Sequence, residues 1–332
     1  MAVSIQKING KAFLAFTEKS GFLESELSQR FGISPVADKI YGDLYYYSKD
    51  SLRDAKLPFG AESVLPYFAR TVMEEPFIVH FDSIGEAAGE LKKIQRNWAP
   101  YQYTCFRRAN LIQEKLPYIN LKDRKFPVKI PQSEIGLYTL IGEHTMICSA
   151  KTTSFIPAGK ITWVEDHENP PSRAYLKIQE SLTLFNLFFG EELPHEGQKC
   201  FEAGACPGGW TWVLVGLGAE VYAVDRAELA PELMTNPLVK FQIHDAFTLK
   251  PEDIGPVDWV FSDVICYPER LLEWIHKWLD SGMTRNMICT IKMQGEIDWK
   301  MIDEQFAAIP NSKIVHLNYN KHELTILIKA KN

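Results

Sequence analysis

Phe201-Glu202-Ala203-Gly204-Ala205-Cys206-Pro207-Gly208-Gly209-Trp210 is the stretch that decides the fold. It follows a short apolar run, Lys199–Ala203, that predicts a β-strand, and it opens a segment that predicts a helix. Gly204 lets the chain turn sharply at the strand's carboxyl end. Gly208 and Gly209 are expected to let a ligand come close to the backbone. The spacing is not GxGxxG, which counts against a dinucleotide. Pro207 removes one amide donor and stiffens the turn, which suits a ligand without a pyrophosphate.

Around that turn the C-terminal half alternates strand-like and helical stretches. Lys199–Ala203, Glu220–Val224, Val239–Ile243, Val257–Ser262 and Met287–Ile291 predict strands, and Glu269–Leu279 predicts one of the helices between them. Such a rhythm implies βαβ units and a parallel sheet covered on both faces. Ser312–Leu317 and Leu324–Lys329 differ, because the five residues 318–322 joining them are a hairpin-length connection. The expected fold class is α/β: a Rossmann-like, seven-stranded sheet ending in an antiparallel hairpin.

Two aspartates close successive strands beyond the turn. Asp225 stands 21 residues after Gly204, where an acid commonly binds ribose hydroxyls. Asp245 follows the third strand, where its carboxylate can accept from an adenine amino group. Each alone is as readily a helix cap or loop acid. Together with the turn they describe a site for adenine and ribose without phosphate, which fits S-adenosylmethionine.

Four further residues fall where one site is expected. Asp263 follows the fourth strand, Lys292 ends the fifth, Glu323 begins the last, and Lys177 opens a helix before the first. A lysine closing an apolar strand is unusual, because lysine is rarely buried without a partner. Trp210, Trp212, Trp259, Trp274 and Trp278 sit at spacings that suit core packing more than base stacking.

The chain has 332 residues, 46% of them hydrophobic, long enough for two or three domains. Its net charge of −6, taken alone, argues against nucleic acid. The average hides an asymmetry: residues 1–170 carry a net +1 and residues 171–332 a net −7. Within the first half, residues 92–129 hold ten basic residues against Glu114 and Asp123. Trp98, Tyr101, Tyr103, Phe106, Tyr118 and Phe126 are interleaved with them. Cations among aromatic rings suit an RNA backbone and unpaired bases. A solvated charged face over core aromatics would give the same composition.

The N-terminal half predicts small α+β domains. Ile5–Phe16 and Tyr41–Tyr47 predict strands on either side of a helix near Phe22–Phe31. Arg107–Leu116 predicts a helix, and Gly136–Ile141 pairs with Thr145–Ser149 around a Gly142-Glu143 turn. Val164–Pro171 is polar, ends in two prolines and reads as a linker. No apolar run of about 18 residues predicts a membrane span. The start has no secretory signal pattern. The six cysteines form no CxxC pair, so no metal site is signalled. The expectation is a cytoplasmic monomer.

SRAYLK (172–177), GACPGGW (204–210), the strand-end Asp263, the strand-end Lys292 and the late Glu323 occur in the order found in one family. The C-terminal 160 or so residues resemble the FtsJ-like ribose 2′-O-methyltransferases. The resemblance implies a class I methyltransferase domain over 172–332 that uses S-adenosylmethionine. It implies a catalytic tetrad of Lys177, Asp263, Lys292 and Glu323. It also implies a cofactor site of Ser172, Gly204, Cys206, Pro207, Gly208, Gly209, Trp210, Asp225, Asp245 and Asp263. The implied substrate is RNA, with a cytidine of large-subunit (23S) ribosomal RNA expected. The implied N-terminal organisation is a ferredoxin-like domain over 1–75 and a shortened THUMP-like RNA-binding domain over 76–163. LPFGAESVLPYFAR (57–70) would be their junction.

Lys292 is the expected general base, which requires its pKa to be depressed by burial and by Lys177. Asp263 and Glu323 would oppose that shift, so the four groups titrate as a coupled set. Another RNA or a small hydroxylated acceptor remains open as substrate. A non-catalytic RNA-binding protein on the same scaffold remains open as a different class. A nicotinamide-dependent oxidoreductase is disfavoured by the glycine pattern.

Overall fold

A computed structural model describes residues 3–55 and 65–330. Residues 57–64 of the expected junction therefore lie outside the described residues. The chain forms two compact units, Met1–Arg124 with Ile130–Thr162, and Lys125–Lys129 with Trp163–Asn332.

Among the described residues, the first unit holds two sheets. Its strands are β1 (Ser4–Lys7), β2 (Gly10–Ala15), β3 (Lys39–Tyr41), β4 (Leu44–Ser48), β5 (Ala69–Met73), β6 (Phe77–His80), β7 (Trp98–Pro100), β8 (Gly136–Gly142) and β9 (Thr145–Ser149). Its helices are α1 (Ser20–Phe31), α2 (Ile84–Ile94) and α3 (Phe106–Lys115). One sheet runs β3-β4-β2-β5 and the other β1-β6-β9-β8-β7. The single strand expected over Ile5–Phe16 is thus two strands on different sheets. The break falls at Ile8-Asn9, directly before Gly10, where a Cβ would stand 2.1 Å from the Tyr47 carbonyl oxygen. Tyr41–Tyr47 likewise divides, at Gly42, into β3 and β4. The boundary expected at residue 75 lies within this unit. β1 pairs across it with β6, and Ala12, Leu14, Leu44, Met73, Ile78, Leu137 and Ile147 share one apolar core.

The second unit holds one sheet. It contains α4 (Tyr175–Phe189), β10 (Lys199–Ala203), α5 (Gly209–Gly216), β11 (Glu220–Asp225), α6 (Pro231–Met234), β12 (Val239–Ile243), α7 (Pro251–Ile254), β13 (Val257–Ser262), α8 (Pro268–Ser281), β14 (Thr284–Lys292), β15 (Ser312–Val315) and β16 (Glu323–Lys329). The order among the described residues is β12-β11-β10-β13-β14-β16-β15. β10 to β14 are parallel, and β16 runs antiparallel to both β14 and β15. Trp259, Val260, Phe261 and Ser262 are all buried in succession, so both faces of the sheet are covered. Trp210, Trp259, Trp274 and Trp278 are core residues, with Phe201 packed against Trp274 and Trp278.

Because β11 lies on one side of β10 and β13 on the other, the strand order reverses at β10. A crevice for ligands is expected outside the carboxyl ends there. Gly204, Asp225, Asp263 and Lys292 all lie at that end. β16 is antiparallel and so brings its first residue, Glu323, to the same edge.

Candidate active site

The turn after β10 is held by neighbouring chain rather than left open. Gly204 has φ +78°, and a Cβ there would stand 2.7 Å from Val264 Cγ2. A Cβ on Gly208 would meet Leu233 Cδ1 at 2.2 Å, and one on Gly209 would meet Ser172 Oγ at 2.5 Å. Gly208 and Gly209 thus answer a packing need of the protein itself, whatever room they leave a ligand. Their side-chain positions are taken by α6 and by the segment before α4. Trp210 also serves packing: it is buried and its Nε1 donates to the Ala174 carbonyl at 3.1 Å. The Ser172 hydroxyl is shielded from solvent without a hydrogen-bond partner. The Cys206–Pro207 bond is cis.

Asp225 ties this turn to the end of β11. Its Oδ2 accepts the Cys206 amide at 2.8 Å, and its Oδ1 accepts the Arg226 amide at 2.6 Å. One carboxylate thus fixes the loop and still has acceptor capacity for a ribose hydroxyl.

Asp245 is placed differently from expectation. Arg226 donates to it at 2.7 Å, Arg270 at 3.2 Å and the Phe247 amide at 3.1 Å. Partial burial pushes its carboxyl up, but these donors outweigh that and hold it below the usual carboxylate value. Without a ligand, this carboxylate is engaged by two guanidinium groups from different elements.

The four residues of the expected tetrad meet. Lys292 Nζ lies 2.6 Å from Asp263 Oδ1 and 3.1 Å from Glu323 Oε2. Lys177 Nζ pairs with Glu323 Oε1 and lies 3.8 Å from Asp263 Oδ2. Each carboxylate therefore sits between two ammonium groups, and each ammonium between two carboxylates. The fold produces this from four separate elements: the first turn of α4, the loop after β13, the last residue of β14 and the first of β16. Lys292 and Glu323 are direct cross-strand partners in the β14–β16 ladder. The side chains are mostly but not wholly buried, from 9% exposed at Glu323 to 21% at Asp263.

The depressed pKa expected for Lys292 is not what this geometry gives. Burial lowers it, but the charges and hydrogen bonds of Asp263 and Glu323 outweigh burial and raise it above the ordinary 10.5. Glu323 responds in the opposite sense. Burial pushes it up, Lys177 and Lys292 pull it down further, and it ends below the ordinary glutamate value. The two shifts are opposite in sign, as two partners that favour each other's charged form require.

Glu202 is the residue that sequence reasoning missed. It lies in β10 directly before the turn, is buried, and accepts from the Thr211 hydroxyl at 2.7 Å. Burial pushes its carboxyl up, the Thr211 hydrogen bond opposes this, and the Asp263 and Asp225 charges add to the rise, to about 8. An acid inside an otherwise apolar strand, Lys-Cys-Phe-Glu-Ala, was the available sign.

Residues 170–308 match the family model described as FtsJ-like methyltransferase. The C-terminal unit resembles the FtsJ-like methyltransferases. That bears out the resemblance seen in its motifs. Among curated relatives, Ribosomal RNA large subunit methyltransferase M of Xylella fastidiosa (strain M12) is 32% identical over 199 residues, 58% of this chain and 55% of that one. The protein of the same name from Hahella chejuensis is 29% identical over 211 residues, 63% and 50% of the two chains. The chain spans about half the length of the curated relatives it matches. A solved structure from Streptococcus thermophilus, provisionally described as a hemolysin, aligns with TM-score 0.40 at 20% identity, over 53% of this chain and 74% of that one. That likeness is too slight to carry an argument.

The basic stretch 92–129 is divided between the units, with Lys125 and Lys129 in the FtsJ-like one. In the first unit Lys92, Lys93, Arg96, Arg107, Lys115 and Lys122 are exposed. Tyr103, Phe106 and Tyr118 are exposed as well, whereas Trp98 is fully buried and belongs to the core. Among the described residues, no group of three or more histidine, cysteine or acidic side chains could hold a metal ion, and no helix is long and apolar enough to cross a membrane. All six cysteines are free.

Proposed function

We propose that this protein is an S-adenosylmethionine-dependent RNA ribose 2′-O-methyltransferase. The observation that carries the proposal is the closed ring of Lys177, Asp263, Lys292 and Glu323 beside the Gly204 turn. The FtsJ-like match over this unit gives the ring a family context. The names of the curated relatives favour large-subunit ribosomal RNA as substrate, and the motif resemblance adds a cytidine ribose as acceptor.

The crevice fits the cofactor in its donor set. Asp225 offers a carboxylate for ribose, and Ser172 offers a buried hydroxyl with no present partner. Asp263 offers negative charge beside a cationic sulfonium. Gly204, Cys206, Pro207, Gly208, Gly209 and Trp210 act by shaping the turn. Bound S-adenosylmethionine would supply a methyl carbon already activated by its positive sulfur.

The remaining task is to prepare a ribose hydroxyl, and it falls to the ring. Lys292 in its neutral form would accept the hydroxyl proton. Asp263 and Glu323 would hold Lys292 in place, and Lys177 would stabilise negative charge developing on the oxygen. The raised pKa of Lys292 means that it must first release a proton before acting as a base. That release makes the reaction pH-dependent.

We assign RNA docking to the first unit, with the five-stranded sheet and α3 as the THUMP-like part and the four-stranded sheet as the ferredoxin-like part. The exposed cations and rings of 92–124 support this. The chain is proposed to act as a monomer in the cytoplasm. The direct test is methyl transfer from labelled S-adenosylmethionine to unmodified large-subunit ribosomal RNA, with Lys292→Ala as the control.

A further inference from the structure

The loop between β13 and α8, Asp263-Val264-Ile265-Cys266-Tyr267, starts at a ring residue and carries two exposed apolar side chains that the ring does not use. Its anchor points alternate. Val264 packs against Gly204, and the Asp263 amide donates to the Ala203 carbonyl at 3.3 Å. Cys266 is buried, within electrostatic reach of Arg270 and Lys292. The residues between and after these anchors are the opposite: Ile265 is 82% exposed and Tyr267 64% exposed. Alternating burial is the pattern of an extended segment, and Tyr267 has extended dihedrals of −66° and 145°. Residues two apart on such a segment face the same side and lie about 6.6 Å apart along the chain. That is close to two stacking distances of about 3.4 Å, room for one flat ring between them.

Single exposed apolar residues are ordinary. Two in one loop, two and four residues after Asp263, are held by the chain within a few residues of the ring. We propose that Ile265 and Tyr267 form a stacking clamp for an unpaired base of the RNA, next to the ribose presented to Lys292. The clamp would select single-stranded acceptors, because a base held in a duplex cannot enter it. This rests on the RNA methyltransferase function proposed above.

The test uses the full chain, in vitro transcribed unmodified large-subunit ribosomal RNA and, separately, a fluorescent 12-nucleotide oligocytidylate. Tyr267→Ala should raise KM for the transcript roughly 5- to 150-fold, the range expected for one lost base–aromatic stack. It should leave S-adenosylmethionine affinity unchanged by calorimetry and weaken oligocytidylate binding by a similar factor. Tyr267→Phe and Tyr267→Trp keep a ring and should stay within about threefold of wild type, while Ile265→Ala should show a smaller loss. An unchanged KM and oligonucleotide affinity in Tyr267→Ala would overturn the clamp. So would a loss in Tyr267→Phe as large as in Tyr267→Ala, since that would assign the effect to the hydroxyl. If wild type transfers no methyl to the transcript yet Tyr267→Ala still loses the oligonucleotide, the methyltransferase function fails and the clamp stands. If wild type binds no oligonucleotide, the clamp fails whatever the transfer assay gives.

Discussion

Lys292 and Glu323 face each other across the antiparallel β14–β16 ladder, with Nζ 3.1 Å from Oε2. The pairing places a lysine and a glutamate in direct register at the carboxyl edge of an otherwise parallel sheet. It explains why the last strand must be reversed: a parallel strand would put its first residue at the opposite edge. The same lysine also binds Asp263, so its charge is held from two sides.

That double hold predicts a pH profile. The folded pKa of Lys292 is above its ordinary value, so its neutral fraction grows about tenfold per pH unit up to and beyond pH 10. If neutral Lys292 is the base, single-turnover methyl transfer should rise with unit slope between pH 7 and pH 9. A rate that levels off below pH 9, with chemistry shown to be limiting, would remove Lys292 from that role. The stability contribution runs the other way: present in full below the unfolded value and lost as pH climbs through the folded one.

Asp225 is expected to serve the cofactor and the loop together. Asp225→Ala removes the acceptor of the Cys206 amide as well as a ribose partner. S-adenosylmethionine affinity should fall about 10- to 100-fold by calorimetry, the scale of a lost charged hydrogen bond. Asp225→Asn keeps one acceptor and should lose less. Wild-type affinity in Asp225→Ala would refute the ribose assignment.

Glu202 gives a test that reads stability rather than activity. Its folded pKa of about 8 lies above its ordinary 4.5, so folding takes up a proton between those values. The carboxyl's stabilising share is complete below pH 4.5 and is lost as pH rises through 8. Glu202→Gln should therefore match wild type near pH 4.5. It should become the more stable protein by about 1.4 kcal/mol per pH unit at most over the interval, and hold a constant lead above it. Urea unfolding at pH 5, 7 and 9 would show this, and parallel curves at all three would contradict it.

The exposed cations of the first unit predict a salt-dependent interaction. Reversing Lys92, Lys93, Arg107 and Lys115 to glutamate should weaken RNA binding. It should also reduce the slope of log affinity against log salt by about 0.7 for each phosphate contact removed. Cofactor affinity should not change. Unaltered RNA affinity would place docking elsewhere.

The C-terminal fold was legible because its strands are short apolar runs, and two of the parallel ones end in a charged residue, Asp225 and Lys292. Val239–Ile243 and Val257–Ser262 coincide with the observed strands. The tetrad was legible for the same reason, since Lys292 closes a run of buried residues. What sequence could not show was mutual contact. Two carboxylates and two lysines were named, but only folding reveals that they alternate, which reverses the expected shift of Lys292. Asp245 looked free because the two arginines that claim it, Arg226 and Arg270, arrive from different elements. Gly208 and Gly209 looked like ligand clearances because the contacts that need them, with Leu233 and Ser172, are distant in sequence. In the first unit, β1 and β2 read as one strand because a change of sheet at Ile8-Asn9 leaves little trace in hydrophobic alternation.

The central claim is methyl transfer to a ribose hydroxyl at the Lys177–Asp263–Lys292–Glu323 ring. It is tested most directly by incubating the protein with labelled S-adenosylmethionine and unmodified large-subunit ribosomal RNA, digesting the RNA to nucleosides and locating the label. The expected result is label in a single 2′-O-methylated nucleoside, lowered at least 100-fold by Lys292→Ala with cofactor binding retained. Label on a base, or transfer that survives Lys292→Ala within about tenfold, would contradict it.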